Sequence, residues 1–191
     1  ENLALRFRKA PGPGLHIGLL HCNVGNNPEH APYSPCSLDD LRATGMDYWA
    51  LGHIHQRQVL DRGPWVVYSG NLQGRSPKPS EQDEKGAVVV EVQSDSVQDV
   101  RFVALDRVRF LTFDLDVSGA EGLSDVGRGL RAFVTRLRAA HPGRGLVLRA
   151  TLTGRGGPHA DLRRPGAVEE LLEDLRRDAE GEWPFLWWES V

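Results

Sequence analysis

Asp47-Tyr48-Trp49-Ala50-Leu51-Gly52-His53-Ile54-His55 runs from a short apolar segment straight into two histidines. Residues 48–51, bounded by Asp47 and Gly52, have the length and setting of a buried strand. Histidines at i and i+2 point the same way when the chain is extended. Neutral imidazole is a common ligand for zinc, manganese and iron. Gly52 has no side chain and leaves room beside them. The end of a strand is also where α/β proteins place their sites.

Working outward, residues 15–20 form a second apolar run between Pro11-Gly12-Pro13-Gly14 and a stretch of Asn, Gly and Pro, and they read as another buried strand. It ends at His21. Ser37-Leu38-Asp39-Asp40 places a hydroxyl three residues before an acid, as a capping box does with Asp in place of Glu, so residues 37–44 read as a helix stopped by Gly45. Residues 65–68, 87–92 and 100–105 are further strand candidates. His21, His53 and His55 therefore all stand at the ends of expected strands. A single histidine so placed is more often structural or merely exposed. For three together, placement alone leaves metal binding and a structural role evenly matched.

The pattern changes near Asp106. Leu111, Phe113, Leu115 and Val117 alternate with polar neighbours, the period of a half-buried strand. Leu123, Val126, Leu130, Phe133, Val134, Leu137 and Ala140 recur at threes and fours, the period of an amphipathic helix, which His141-Pro142-Gly143 ends. Leu146 to Leu152 alternate again, Val168, Leu171, Leu172 and Leu175 mark a helix after Pro165, and residues 185–188 close as a strand. The expected organisation is α/β throughout, with one domain over residues 1–105 and a small strand-helix-strand-helix-strand domain over residues 106–191. Residues 154–158 read as a mobile loop.

Composition narrows the classes. A chain of 191 residues with 40% hydrophobic and 26% charged content is that of a globular protein, and its longest apolar runs are far too short for a membrane helix. No leader opens it, so a cytoplasmic location is expected. In that setting Cys22 and Cys36 are expected as two buried thiols, not a disulfide. The chain begins at Glu1 and its only methionine is Met46, so it is expected to be a piece of a longer protein. A net charge of −3 decides nothing about nucleic acid, because the distribution of charge matters more than the sum. From Arg128 to Arg164 nine arginines face one acid, Asp161. Such a band could follow a DNA backbone, or it could be the solvated face of a helix. Trp183, Trp187 and Trp188 are expected as core or interface before base-stacking platforms.

Together, Gly18-Leu19-Leu20-His21, Gly52-His53-Ile54-His55, Tyr68-Ser69-Gly70-Asn71 and Lys85-Gly86 resemble the later motifs of the calcineurin-like metallophosphoesterases. Within that superfamily, Leu20-His21-Cys22-Asn23-Val24-Gly25, Pro35-Cys36-Ser37-Leu38-Asp39-Asp40-Leu41, Asp47 to His53 and Gly70-Asn71-Leu72-Gln73-Gly74-Arg75 are similar to the bacterial DNA-repair exonucleases related to SbcD. The resemblance covers about the first half of the chain, and the later element order is similar to that family's capping domain.

The resemblance implies the C-terminal half of a metallophosphoesterase β-sandwich with flanking helices, and two divalent ions, usually manganese, about 3.5–4 Å apart. His21 and His53 would bind one ion and His55 the other. The remaining family motifs, which bring the bridging carboxylate and the catalytic histidine, have no counterpart here; Leu72 follows Gly70-Asn71 where a histidine is needed. Three neutral imidazoles do not offset two divalent ions, so this chain alone is expected to be inactive. The expected partners are DNA, the missing N-terminal half of the domain, a coiled-coil ATPase subunit and a second copy of the chain. Asn71, Gln73 and Arg75 are candidates for holding a phosphate or sugar, against the plainer reading of a polar turn. Other readings left open are a nucleotide or phosphoprotein phosphoesterase, a single zinc on the three histidines, and a non-catalytic scaffold.

Overall fold

The computed structural model describes residues 1–25 and 31–191; part of the Asn, Gly and Pro stretch that bounds the first expected strand lies outside them. The protein is mixed α/β and divides into two compact units, residues 1–72 with 84–105 and residues 73–83 with 106–191.

In the first unit the strands β1 (Ile17–His21), β2 (Tyr48–Gly52), β3 (Gln58–Arg62) and β4 (Trp65–Tyr68) form one sheet in the order β1-β2-β4-β3. β1, β2 and β4 run parallel, and β3 returns antiparallel along β4 with an irregularity between Val59 and Asp61. β3 escapes a periodicity search because it is a largely polar edge strand with only Val59 and Leu60 apolar. Trp49 organises this half. Its ring is fully buried, its indole N–H donates to the Leu41 carbonyl at 3.2 Å, and Phe7 packs edge-on at 4.9 Å. On β1, Gly18 accommodates the ring, since a Cβ there would lie 2.4 Å from it. Burying a side chain of this size contributes roughly 3 kcal/mol.

Helix α1 (Leu38–Ala43) starts as its sequence implies: Ser37 Oγ accepts the Asp40 N–H at 3.0 Å and the Asp40 carboxylate accepts the Ser37 N–H at 2.8 Å. That N–H, together with the Ser37 hydroxyl, holds the Asp40 carboxyl below its ordinary pKa. Leu41 seals the helix against the core formed with Leu20, Trp49, Leu51, Val66 and Tyr68. Cys22 and Cys36 are buried in that core as free thiols. A hairpin of β5 (Gly86–Gln93) and β6 (Ser96–Ala104) completes the unit.

The second unit is a parallel sheet, β7 (Val108–Asp116), β8 (Gly145–Thr153) and β9 (Leu186–Ser190), in that order. Helices α2 (Leu123–Ala140) and α4 (Ala167–Asp178) connect the strands, with a short α3 (His159–Leu162) before α4. Leu111, Leu146, Leu148, Ala150, Leu186 and Trp188 turn to Val126, Leu130, Leu171 and Leu175, so both long helices cover the same face. The other face carries Thr112, Asp114, Thr151 and the Arg149–Glu189 ion pair. This sheet is therefore covered on one side, and its strands alternate accordingly.

Residues 73–83 belong to this unit because Gln73 is tied to the start of β7. Its carbonyl oxygen accepts the Arg107 and Val108 N–H groups at 2.9 and 3.2 Å, and its amide donates to Val108 O at 2.5 Å. One expectation is corrected. Residues 154–158 are not a loose loop: the Gly157 N–H donates to Ala120 O at 3.1 Å, and a Cβ on Gly156 or Gly157 would fall 2.4 Å from the carbonyl of Val117 or Glu121. Glycine serves close backbone approach there. Of Trp183, Trp187 and Trp188, expected as core or interface, Trp188 lies in the core, Trp183 is 88% exposed and Trp187 lies under the Arg176 guanidinium at 4.5 Å.

Candidate metal centre

β1 and β2 are parallel neighbours and end in register, with His21 opposite Gly52 and the Cys22 N–H donating to Gly52 O at 3.2 Å. His21 is thus carried beside His53, the residue after Gly52. Gly52 makes the approach possible: a Cβ there would lie 2.9 Å from His21 Nδ1. His53 Nδ1 and His21 Nε2 come within 3.3 Å, and the ring centroids are 5.1 Å apart. His53 holds φ at 103°, a conformation that side-chain-bearing residues rarely adopt. Its other ring nitrogen, Nε2, lies 3.0 Å from the Ala31 carbonyl. A carbonyl can only accept, so Nε2 carries a proton, and in the neutral ring Nδ1 then turns its lone pair toward His21.

The surroundings hold this pair from beneath. Tyr68 is buried, and its hydroxyl donates to Cys22 O at 2.8 Å and accepts the Val24 N–H at 3.0 Å, fixing the chain as it leaves β1. Burial raises the Tyr68 pKa, so the phenol stays protonated as that donor. Asn23, fully buried, accepts the Cys36 N–H on its main-chain carbonyl and donates its own main-chain N–H to Tyr33 O. The Tyr33 ring then stands edge-on to His21 at 5.1 Å and stacks on His53 at 6.0 Å. Neither tyrosine is foreseeable as a neighbour of the histidines from spacing, because each arrives from a different segment.

Two imidazole nitrogens bound to one ion at about 2.0–2.1 Å lie roughly 2.9–3.4 Å apart for ligand angles between octahedral and tetrahedral. The 3.3 Å between His53 and His21 falls in that interval, so the pair fits one divalent ion. A ligand histidine generally donates its far N–H to a carbonyl or carboxylate, as His53 does to Ala31. His55 follows with Ile54 buried between the two, and its carbonyl accepts the Asn71 N–H at 3.3 Å. Among the described residues no three His, Cys, Asp or Glu side chains form a group able to hold a metal. The structure therefore joins His21 with His53 and leaves His55 outside that pair, which removes support from a single zinc held by all three.

Of the substrate candidates, Asn71 lies in the first unit and Gln73 and Arg75 in the second. Gln73 engages the main chain of Arg107 and Val108, and Arg75 lies 3.5 Å from the buried Glu81 carboxylate, which also accepts the Arg75 main-chain N–H at 3.2 Å. The arginine-rich segment is laced with ion pairs: Arg128 with Asp125, Arg131 with Asp178, Arg138 with Glu182, Arg144 with Asp106, Arg149 with Glu189 and Arg164 with Glu170. The acids of residues 166–191 supply several of these partners, which the linear charge pattern conceals.

Over 189 residues, 98% of its length, the chain is 35% identical to the uncharacterized metallophosphoesterase YhaO of Bacillus subtilis (strain 168). Residues 110–191 match the family described as the middle domain of metallophosphoesterase YhaO. The relationship covers 45% of the Bacillus metallophosphoesterase's own length. A more distant likeness, 32% identity over 97 residues, is to the DNA double-strand break repair protein Mre11 of Haloferax volcanii; it takes in 49% of this chain and 21% of that protein. No helix among the described residues is long and apolar enough to cross a membrane.

Proposed function

We propose that this chain forms part of a two-metal phosphodiesterase site, with His21 and His53 as ligands of one divalent ion, manganese in the cell, and His55 as a ligand of the second. The parent protein is a DNA exonuclease of repair. The 3.3 Å approach of His53 Nδ1 to His21 Nε2, with the far nitrogen of His53 committed to Ala31 O, carries the metal reading. The nuclease reading draws on the likeness to the repair protein Mre11 and on the loop from Gly70 to Arg75.

Bound divalent ions of this kind polarise a phosphodiester and lower the pKa of a bound water. The chain's own residues prepare that chemistry. Gly52 admits the His21 ring, Ala31 O holds His53 in the Nε2–H tautomer, and Tyr68 anchors the backbone after β1. Loading requires His21 to present its Nε2 lone pair, so its proton must sit on Nδ1 or leave. The bridging carboxylate and the catalytic histidine belong to the N-terminal half of the domain, outside this chain. Asn71, Gln73 and Arg75 are the candidates for phosphate or sugar contacts, and a coiled-coil ATPase is the expected partner of the parent.

The test is a nuclease assay in manganese on this chain alone and on a parent protein that includes the N-terminal half, beside nucleotide and phosphopeptide substrates. DNA degradation only by the longer protein is expected. Activity of the chain alone would overturn the assignment of carboxylates elsewhere, and failure of the longer protein on every DNA form with turnover of nucleotides would overturn the substrate.

A further inference from the structure

We infer that Lys85 is a positioning residue for the histidine turn, its buried ammonium locking the His55 carbonyl so that the segment from His53 to His55 is held ready for divalent cations. The inference rests on the metal reading above and deepens it. Lys85 is only 3% exposed. Lysine is almost never that buried without a partner, because the ammonium gives up its hydration on entering the protein. Here Nζ donates to His55 O at 3.3 Å. A leucine or methionine would fill the same volume with no ion to desolvate. His55 O is one acceptor that the buried ammonium holds.

The clamp has rigid footing on both sides. On the lysine side, Lys85 O accepts the Leu105 N–H at 2.9 Å, and the next residue, Gly86, donates its N–H to Asn71 O at 3.1 Å. A Cβ on Gly86 would lie 1.9 Å from Val103 O, so β5 and β6 meet there at a distance only glycine allows. On the histidine side, the carbonyl that takes the ammonium also accepts the Asn71 N–H at 3.3 Å. Gly70, at φ +76°, packs so closely that a Cβ would meet His55 O at 2.8 Å and Arg57 N at 3.1 Å. Lys85, Gly70 and Asn71 thus converge on one peptide group, two residues beyond a histidine held at φ 103°. A backbone conformation of that kind persists where surrounding contacts over-determine it.

The test compares Lys85→Met, which keeps the volume and removes the donor, with Lys85→Gln, whose amide can still donate to His55 O. Cobalt(II) and zinc(II) affinity are measured by calorimetry and the cobalt ligand field by its visible spectrum, on folded chain. K85M should bind about 10–100-fold more weakly, the usual loss when a group orienting a ligand is removed, with an altered cobalt spectrum, and K85Q should recover most of both. A residue that merely fills space would change melting temperature and leave the spectrum alone. Wild-type binding with an unchanged K85M affinity and spectrum would overturn the role of Lys85 and leave the metal site standing. No binding by the wild-type chain would overturn the site and the inference together. Should K85M fail to fold, nitrogen NMR of the lysine ammonium in the wild-type chain decides. Its Lys85 resonance is expected to move on zinc addition, and a resonance that stays put overturns the inference.

Discussion

In the first unit two ring nitrogens are brought within 3.3 Å of each other at the ends of parallel strands, with a strained backbone at His53 and a tautomer set by a carbonyl. In the second unit six of the nine arginines between Arg128 and Arg164 lie against carboxylates, mostly at the surface. One region concentrates lone pairs where no acid of the described residues joins them to make a metal-holding group; the other neutralises its charge pair by pair. Local concentration of like groups at a strand end is the mark of a site. A run of like charges in the sequence is not, because folding can set an opposite charge beside each member. The field that a basic segment exerts on a nucleic acid falls accordingly.

The contrast can be broken in three ways. The largest effect is expected from His53→Ala, which removes the lone pair facing His21 and should lower divalent-ion affinity by about 100-fold or more, as for loss of a direct ligand rather than of an outer-shell group; calorimetry with zinc reads it, and unchanged affinity would remove His53 from the ligand set. Gly52→Ala comes next. The added methyl, 2.9 Å from His21 Nδ1, forces the ring to turn, and about a tenfold loss of zinc affinity should accompany an almost unchanged melting temperature, since the exposed imidazole can move without opening the core. Wild-type affinity in the G52A variant would show that the 3.3 Å approach is dispensable. Smallest is Arg131→Ala. Its partner Asp178 lies at 2.5 Å, but both side chains are about half exposed, so thermal unfolding should report a loss of no more than about 1 kcal/mol and metal affinity should not change. A larger loss would mean that the ion pairs of the second unit act as a network.

Much of this was legible in the primary structure for identifiable reasons. Ser37 and Asp40 are a local signal with a local partner, so α1 begins where they say. The threes and fours from Leu123 to Ala140 match α2 end to end because one stripe must face the sheet. β3 was not legible, since a polar edge strand has no apolar period to show. Nor were the companions of the histidines. Tyr33 reaches the site from a segment that nothing in the linear order connects to it; Tyr68 and Lys85 lie in motifs that the resemblance groups with the histidines, but no spacing says what they touch, and the acids that neutralise Arg131 and Arg138 lie more than forty residues on, at Asp178 and Glu182.

By itself, then, the sequence determined the α/β class, most element positions, the strand-end histidines and their resemblance to metallophosphoesterases, all of which depend on periodicity or on motifs within a few residues. Tertiary structure alone decided that His21 and His53 come within 3.3 Å of each other, which nitrogen of His53 faces His21, and that six of the nine arginines are paired. Those are distances between residues remote in the chain. They follow from the parallel register of β1 and β2 and from the packing of helices on a sheet, and no local pattern encodes them.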